Sequence, residues 1–259
     1  MNEDAGTGFV LRTWPLRESD LIVSAFTLEH GKIRGVARGA TRPKSRWLGA
    51  LDPMTEVALD WRSREGEELF NLTDCSIVRS PYHVAPSLGV MWTLAFVSEL
   101  VEVTAPAHDA DETAYRLLRS AVDALLAGAS HQIVARYVSA WILRIHGVLP
   151  DSLACAGCGR SLAEEGGEWH WRLHGVGCAA CLAGESGGVS LLPQDLAFLE
   201  EIRRKAPGAV AVPDPKVLRR TGVFLRHLLH EMAGKTLNSE RFLEELERME
   251  GRDANGDAP

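Results

Sequence analysis

Hydrophobic and polar residues alternate along the first third of the chain, roughly residues 8–80, in the way typical of β-strands. The stretch TEVALDWR places Val57, Leu59 and Trp61 on one face. The other face consists of Glu56, Ala58, Asp60 and Arg62, and this is the period of a half-buried antiparallel strand. Extended patterns also occupy GFVLRTW, LIVSAFTLEHGKIRGVARG and LFNLTDCSIVR, with turns near His30 and at REGEE. Four or five short strands of this kind predict a small closed β-barrel.

From Pro86 onward the apolar spacing becomes helical. The stretch SLGVMWTLAFVSELVEVT predicts a helix that begins after Ser87, and two more helices follow in DETAYRLLRSAVDALLAG and HQIVARYVSAWILRIHG. Short connections between these helices favour antiparallel neighbours. The predicted core face of the first helix consists of Leu88, Met91, Leu94, Ala95 and Val101.

Helical spacing returns after residue 190, in PQDLAFLEEIRRKA, PKVLRRTGVFLRHLLHEMAG and SERFLEELERME. Ser239 has the position of an N-cap for the last of these helices. Residues 251–259, GRDANGDAP, carry no apolar period, and we expect them to be disordered. The predicted buried stripe of the second of these helices consists of Val217, Thr221, Phe224, Leu228 and Met232.

Four of the five cysteines lie between the helical regions, in two C-x-x-C pairs. Cys155 and Cys158 form the first pair and Cys178 and Cys181 the second, with nineteen residues between them. Four thiolates suit a tetrahedral Zn²⁺ ion, and a site closed by four protein ligands is structural. We therefore predict a structural zinc site that allows residues 151–190 to fold. Iron in a rubredoxin-like site and four metal-free thiols are the alternatives.

Between the two pairs, EWHWRLH alternates as a hairpin strand would, with Trp169 and Trp171 on one face. His170 or His174 could replace a cysteine as a metal ligand, but we expect ordinary hairpin or surface roles because four cysteines complete the site. The fifth cysteine, Cys75, lies in a β segment without a partner in sequence and is expected to be a core thiol.

The composition is that of a globular protein, since 46% of the 259 residues are hydrophobic and 24% are charged. No apolar run approaches the roughly 18 residues of a membrane span, and the opening MNEDAGTG does not match a secretory signal. We therefore expect a cytoplasmic protein with reduced cysteines. The net charge of −7 argues against indiscriminate binding of polyanions, so a nucleic-acid site must be a local patch.

One segment departs from this acidic balance, because residues 30–51, HGKIRGVARGATRPKSRWLGAL, contain no carboxylate. Basic residues on a small barrel suit contacts with phosphates, and aromatic rings beside them can stack on bases. Trp14 is a weaker stacking candidate, and the alternative is a solvated loop with Trp47 in the core. The predicted nucleic-acid-binding residues are Lys32, Arg34, Arg38, Arg42, Lys44, Arg46 and Trp47.

Common enzyme motifs are not found in the sequence. There is no G-x-S-x-G, no H-E-x-x-H and no G-x-G-x-x-G after a strand. AGKT at residues 233–236 lacks the glycine of a phosphate-binding loop, since position 229 is leucine. We expect a binding protein and not an enzyme. An enzyme with a site assembled from scattered residues and a scaffold for protein contacts are the alternatives.

Four stretches resemble the bacterial RecO family of recombination mediators and DNA-repair proteins, over nearly the whole chain. They are VLRTWPLRESDLIVSAFTLEHGKIRGVARGATRPKSRW, FVSELVEV, GVLPDSLACAGCG and GKTLNSERFLEEL. The resemblance implies an α+β protein with an N-terminal OB-fold β-barrel (1–80), an α-helical domain (81–150 and 191–250) and an inserted zinc-binding module with four cysteine ligands (151–190). In the first stretch, the residues in family-like places are Arg17, Glu18, Asp20, Gly31, Gly39 and Ser45.

The same resemblance implies a function in DNA repair and homologous recombination at the nucleoid. Members of such a family are expected to bind single- and double-stranded DNA, to anneal complementary strands and, with RecR, to help load RecA onto DNA coated by single-strand-binding protein. The remaining alternative is a zinc-ribbon protein associated with RNA or transcription. An acidic C-terminal tail of the coating protein is expected to dock on the helical domain, with Arg203, Arg204, Arg219, Arg220 and Arg226 as candidates.

Overall fold

The computed structural model describes residues 2–63, 69–82, 86–150 and 154–254. The chain divides into two compact units, Met1–Val122 together with Thr236–Pro259, and Asp123–Lys235. The predicted turn at REGEE lies outside the described residues. None of the described helices is both long and apolar enough to cross a lipid bilayer.

Within the described residues, the first unit contains a closed five-stranded barrel with the strand order β1-β2-β3-β5-β4. The β3–β5 pair is parallel, whereas the other pairs are antiparallel. Val10, Ile33 and Leu59 are among the fully buried residues of its core. The barrel confirms the predicted α+β class and OB-fold. Its strands are β1 (Asn2–Pro15), β2 (Leu21–Thr27), β3 (Gly31–Ala37), β4 (Glu56–Ser63) and β5 (Phe70–Arg79).

The alternation in β4 holds except at Glu56, which is buried although it was predicted on the outer face. Helix α2 (Glu112–Leu126) covers this position, and the Tyr115 hydroxyl donates a hydrogen bond of 2.7 Å to Glu56 Oε1. Burial raises the pKa of Tyr115, and so does its bond to Glu56. The Arg119 Nε atom lies 3.7 Å from Glu56 Oε1. A buried carboxylate therefore joins the barrel to α2.

Helix α1 (Leu88–Thr104) begins at the predicted place, and the Ser87 hydroxyl accepts a hydrogen bond from the Val90 N–H. The predicted core face is wrong at three positions, because Leu88, Met91 and Ala95 are exposed. Apolar residues occur on several sides of α1, so their spacing alone does not identify the face that packs on the barrel. The buried face contains Thr93, Leu94, Val97, Ser98 and Val101.

Helix α6 (Glu240–Ala254) starts directly after Ser239, as predicted. It continues to residue 254, so the expected disorder from residue 251 is wrong for 251–254, and residues 255–259 lie outside the described part of the chain. Glu99 of α1 holds the start of α6, since its carboxylate accepts hydrogen bonds from both Asn238 and Ser239.

The second unit contains the C-terminal end of α2 and the helices α3 (His131–Ile145), α4 (Pro193–Arg204) and α5 (Pro215–Ala233). All three lie where the apolar spacing predicts them. Arg136 of α3 is buried, and its Nε atom donates a hydrogen bond of 2.8 Å to the Leu218 carbonyl of α5. The predicted stripe of α5 is buried except at Met232, which is half-buried.

Between α3 and α4 lies a small sheet of β6 (Gly167–His170), β7 (Gly175–Gly177) and β8 (Val189–Leu191) in the order β7-β6-β8. Strand β6 is shorter than predicted, because a 3-10 turn begins at Trp171. Trp169 is therefore buried against Phe224, with ring centroids 5.6 Å apart, whereas Trp171 is 66% exposed. The prediction that both tryptophans share one strand face is wrong.

Candidate metal centre and nucleic-acid interface

The four cysteines of the two C-x-x-C pairs lie together, as predicted. Their Sγ atoms all lie within 4.8 Å of one another. The Cys158 and Cys178 sulfurs are 3.9 Å apart, close to the roughly 3.8 Å expected for two thiolates about 2.3 Å from one tetrahedral zinc ion. Four soft sulfur donors in this arrangement fit a structural Zn²⁺ ion.

Backbone N–H groups favour the thiolate form of Cys155, which is the form that binds a metal cation. The Cys178 N–H donates a hydrogen bond of 3.3 Å to the Cys155 sulfur. Burial raises the pKa of the Cys155 thiol, but hydrogen bonds from backbone N–H groups outweigh this effect and lower the pKa to about 6. Hydrogen bonds with the other three cysteines raise the pKa of Cys181 to about 12. A Cβ atom on Gly157 would lie 2.9 Å from the Cys181 sulfur, so the turn requires glycine.

Neither nearby histidine joins this cluster. The buried His170 accepts a hydrogen bond from the Arg172 N–H at Nδ1, and its Nε2 atom faces the Ser186 carbonyl at 3.4 Å. His174 is exposed in a left-handed turn, with φ of 45°. Both have the hairpin or surface roles expected for them. Cys75 is buried in the barrel core, as expected, and burial raises the pKa of its thiol to about 12.

The predicted nucleic-acid-binding cations fall into two parts. The first part consists of Lys32 and Arg34 on β3, and both contact Glu102 of α1. The Lys32 ammonium donates a hydrogen bond of 2.7 Å to the Glu102 carbonyl, and Arg34 forms an ion pair of 2.6 Å with the Glu102 carboxylate. The Ser24 hydroxyl donates to the other carboxylate oxygen. Burial lowers the pKa of Lys32, and Arg34 adds to the effect. Lys32 and Arg34 therefore connect the barrel to the end of α1.

The second part lies in the loop after β3. Arg38, Arg42 and Lys44 are exposed, and their side chains make no hydrogen bond or ion pair with any residue that the structure describes. The Gly39 N–H donates to the Asp20 carboxylate at 2.8 Å, which holds the loop against the turn between β1 and β2. A second hydrogen bond from the Thr41 N–H to the Ser19 carbonyl supports this position.

Two further residues near this loop have different surroundings from those predicted. Arg46 donates to the Thr73 carbonyl at 2.9 Å and lies 3.8 Å from Asp74, with its side chain 64% exposed. Trp47 is only 4% exposed, and its Nε1 atom donates to the Arg38 carbonyl. A stacking role for Trp47 does not fit this burial, whereas the alternative of a core residue does. The loop folds back so that the indole completes the barrel core.

The outer face of β1, β2 and β3 carries a cluster that the sequence analysis included only in part. The Arg12 and Arg34 guanidinium carbons lie 5.2 and 5.5 Å from the centroid of the Trp14 ring. Trp14 pairs with Ile22, which in turn pairs with Val36, so these three residues form one row across the strands. Arg12 was missed, although its spacing of two from Trp14 on β1 is the signal that places both on one face.

The candidate arginines of the helical unit differ in their availability. Arg220 makes two hydrogen bonds, of 2.8 and 2.7 Å, to the fully buried Asp195 at the start of α4. A peptide-binding role for Arg220 does not fit this buried ion pair. Arg226 is half-buried, and Arg219 is exposed with no ion pair to any described residue.

Arg203 and Arg204 line a cleft of about 560 Å³ between α4 and residues 154–163. Both pair with Glu200 at 2.6 Å, and the Arg204 side chain remains 68% exposed. The apolar part of the cleft includes Leu162 and Leu196. The cleft therefore combines apolar walls with two guanidinium groups.

Comparison with known proteins gives matches along nearly the whole chain. Residues 1–81 match the family described as recombination protein O N terminal, and residues 90–241 match recombination protein O C terminal. The chain is 34% identical over 170 residues to the DNA repair protein RecO of Koribacter versatilis (strain Ellin345), covering 66% of this chain and 69% of that protein. It is 31% identical to the DNA repair protein RecO of Anaeromyxobacter sp. (strain K), covering 93% of this chain and 95% of that protein. It is also 31% identical to the DNA repair protein RecO of Geobacter sulfurreducens, covering 92% of this chain and 96% of that protein. The chain belongs to the RecO family.

Proposed function

We propose that this protein acts in DNA repair and homologous recombination as a mediator that binds single- and double-stranded DNA and anneals complementary strands. The observation that carries the proposal is the group of exposed cations, Arg38, Arg42 and Lys44, in a carboxylate-free segment of an acidic chain. The RecO proteins that the chain resembles bear the description DNA repair protein. Together, the loop and the family support a DNA-binding barrel.

Annealing by such a protein needs no covalent chemistry. Two DNA strands repel each other through their phosphates, and cations at the barrel loop lower that repulsion while releasing counterions. Since Arg38, Arg42 and Lys44 have no ion pair within the described residues, they do not have to break one before they meet a phosphate. Lys32 and Arg34, in contrast, would have to leave Glu102.

We further propose that the cysteine cluster holds a structural Zn²⁺ ion through Cys155, Cys158, Cys178 and Cys181. With all four positions occupied by thiolates, the ion has no open site for a substrate. Its contribution is to fix the two turns and the short sheet between them. The basis for this proposal is the mutual distance of the four sulfurs and their chemistry.

We propose that the protein cooperates with RecR in loading RecA onto DNA coated by single-strand-binding protein, and that the acidic tail of the coating protein enters the cleft beside α4. An apolar, acidic peptide matches this cleft because Leu162 and Leu196 offer apolar contact, and because the two guanidinium groups of Arg203 and Arg204 share a single carboxylate, which leaves a net positive charge. Binding of a synthetic acidic peptide to wild type and to a variant with both arginines changed to Ala tests this assignment.

The test of DNA binding is a variant with Arg38, Arg42 and Lys44 changed to Ala. The slope of log affinity for single-stranded DNA against log salt concentration should become less steep by about two, because about three phosphate contacts are lost. A matched control changes three exposed helical arginines, Arg116, Arg241 and Arg248, to Ala, which removes the same charge from other places. Fluorescence anisotropy across a salt series measures both variants.

Identical isotherms for wild type and the loop variant would refute the DNA-binding role of the loop. Annealing of complementary oligonucleotides without ATP, with and without the coating protein, then tests the activity itself. Matched RNA oligonucleotides test the alternative of an RNA-associated protein, because a DNA mediator should not require the 2′-hydroxyl.

A further inference from the structure

Trp14 occupies an unusual position for a tryptophan, on the outer face of the barrel. Its ring is partly exposed, and it lies in one row with the half-buried Ile22 and Val36 across β1, β2 and β3. The neighbouring row consists of Arg12, the buried Ser24 and Arg34. An apolar row therefore runs beside a row that begins and ends with arginine.

The two guanidinium groups over the indole differ in how they are held. Arg34 is anchored by its ion pair with Glu102, whose other carboxylate oxygen accepts a hydrogen bond from Ser24. Arg12 contacts the ring but makes no hydrogen bond or ion pair with any described residue. Arg12 can therefore leave the ring at little cost, whereas Arg34 stays in place.

This arrangement fits a nucleobase. A base can stack on the indole and on the neighbouring aliphatic side chains, because every base has an apolar, polarisable face. Arg34 can stay beside the stacked base through cation–π contact. Arg12, once displaced from the ring, is free to meet the phosphate of the same nucleotide. In a duplex, both faces of each base are covered by neighbouring base pairs, so Trp14 has nothing to stack on.

We propose that Trp14 is a base-stacking residue that makes the barrel prefer single-stranded over double-stranded nucleic acid. In this proposal Arg12 moves from the ring to a phosphate, and Arg34 is held by Glu102, whose carboxylate also accepts a hydrogen bond from Ser24. The proposal rests on the proposed DNA-binding function. It adds the basis for strand selectivity, which the cations of the loop do not provide, because phosphates are common to both forms of DNA.

The experiment compares the full-length protein with the variants Trp14→Ala and Trp14→Phe. Anisotropy measures binding to one mixed-sequence oligonucleotide and to the duplex made from it, at the same salt concentration. Trp14→Ala should weaken single-strand binding roughly tenfold, within the range found for loss of one base stack, and should change duplex binding by less than about twofold. Trp14→Phe should restore most of the loss, because phenylalanine keeps an aromatic face.

Trp171→Ala is the matched control, since Trp171 is an exposed tryptophan outside the barrel. It should leave binding to both forms of DNA unchanged. Unchanged single-strand affinity in Trp14→Ala, or equal losses for single strand and duplex, would overturn the stacking role. The variant with Arg38, Arg42 and Lys44 changed to Ala separates the two proposals. If the proposed function holds, its affinity for both single-stranded and duplex DNA should fall, whether or not Trp14 stacks on bases.

Discussion

The barrel of the first unit and the three-stranded sheet of the second are both small β structures, but their cores differ. The barrel strands are seven to fourteen residues long and enclose a continuous apolar core. Strands β6 to β8 have only three or four residues each, and the chain around them carries the four clustered cysteines. The barrel is stabilised by apolar burial, whereas the chain around β6 to β8 has four sulfurs whose arrangement fits a metal ion, in place of a larger core.

The largest expected effect comes from the proposed zinc ion. Cys178→Ser, or removal of metal by a chelator, should expose the backbone of β6 and β7 to solvent and leave the barrel folded. Metal binding in such modules is linked to folding free energies on the order of 10 kcal/mol. Hydrogen exchange of β6–β7 compared with β1–β5 measures the difference.

Cys75→Ser is the control, because this buried thiol lies in the barrel, away from the cluster, and should leave the metal content unchanged. Elemental analysis that finds well under one metal ion per chain in the wild-type protein would contradict the zinc proposal directly.

The next largest effect concerns stability in the first unit, where Gly31 lies close to the backbone of Asp109. Gly31 has φ of 63°, and a Cβ atom there would lie 2.1 Å from the Asp109 carbonyl oxygen. Gly31→Ala should therefore destabilise the barrel unit by about 3 kcal/mol, through backbone strain and overpacking. Chemical denaturation followed by circular dichroism measures the loss.

Gly49→Ala separates the two causes. Gly49 also has a positive φ, 73°, but a Cβ atom there would meet nothing within 4 Å. Its cost should be the strain alone, about 1 kcal/mol. Equal losses in the two variants would mean that the contact with Asp109 does not contribute.

A smaller effect is expected from the carboxylate that joins the barrel to α1. Glu102→Gln removes the charge that pairs with Arg34 while keeping the size of the side chain. Because the Arg34 side chain is 50% exposed, solvent screens much of the interaction, and we expect a loss of about 1 kcal/mol. Glu18→Gln, at an exposed carboxylate, is the control and should not change the denaturation midpoint.

The smallest expected effect is a pH dependence of the folding stability contributed by Glu99 at the start of α6. Burial raises the pKa of Glu99, but hydrogen bonds from Ser239 and Asn238 outweigh it and lower the pKa below its ordinary value of 4.5. The folded state therefore favours the carboxylate, so this stability is present above about pH 4.5 and is lost as the pH falls through the lowered pKa.

Melting curves between neutral pH and pH 3–4 should show a steeper decline for wild type than for Glu99→Gln, with a difference below about 1 kcal/mol. Parallel declines would mean that Glu99 does not couple the docking of α6 to pH.

Much of this molecule follows from local patterns. Alternation in β4 predicts that Val57, Leu59 and Trp61 share the buried face of the strand. The two C-x-x-C pairs predict one cluster of sulfurs. The spacing failed where apolar residues lie on several sides of a helix, as in α1, and where a strand ends early, as at Trp171. In both places the outcome depends on which neighbour the element meets, and a period in the sequence does not contain that information.

The candidate DNA site shows the same division. The charge of the basic segment is visible in the sequence, but Glu102, which pairs with Arg34, lies 68 residues further along the chain. The burial of Trp47 likewise depends on the loop folding back over the barrel. The sequence therefore identifies the basic residues but does not distinguish the available cations from those that hold the fold.

The sequence by itself determined most of the strand and helix pattern, the acidic balance with one basic segment, and the thiol cluster, because these depend on composition and on the local spacing of residues. Only the tertiary structure decided which cations stay available, which tryptophan is exposed and where two guanidinium groups meet a ring. These features arise from pairs of side chains brought together by strand register and helix packing, and their energies depend on the burial and the partners that folding supplies.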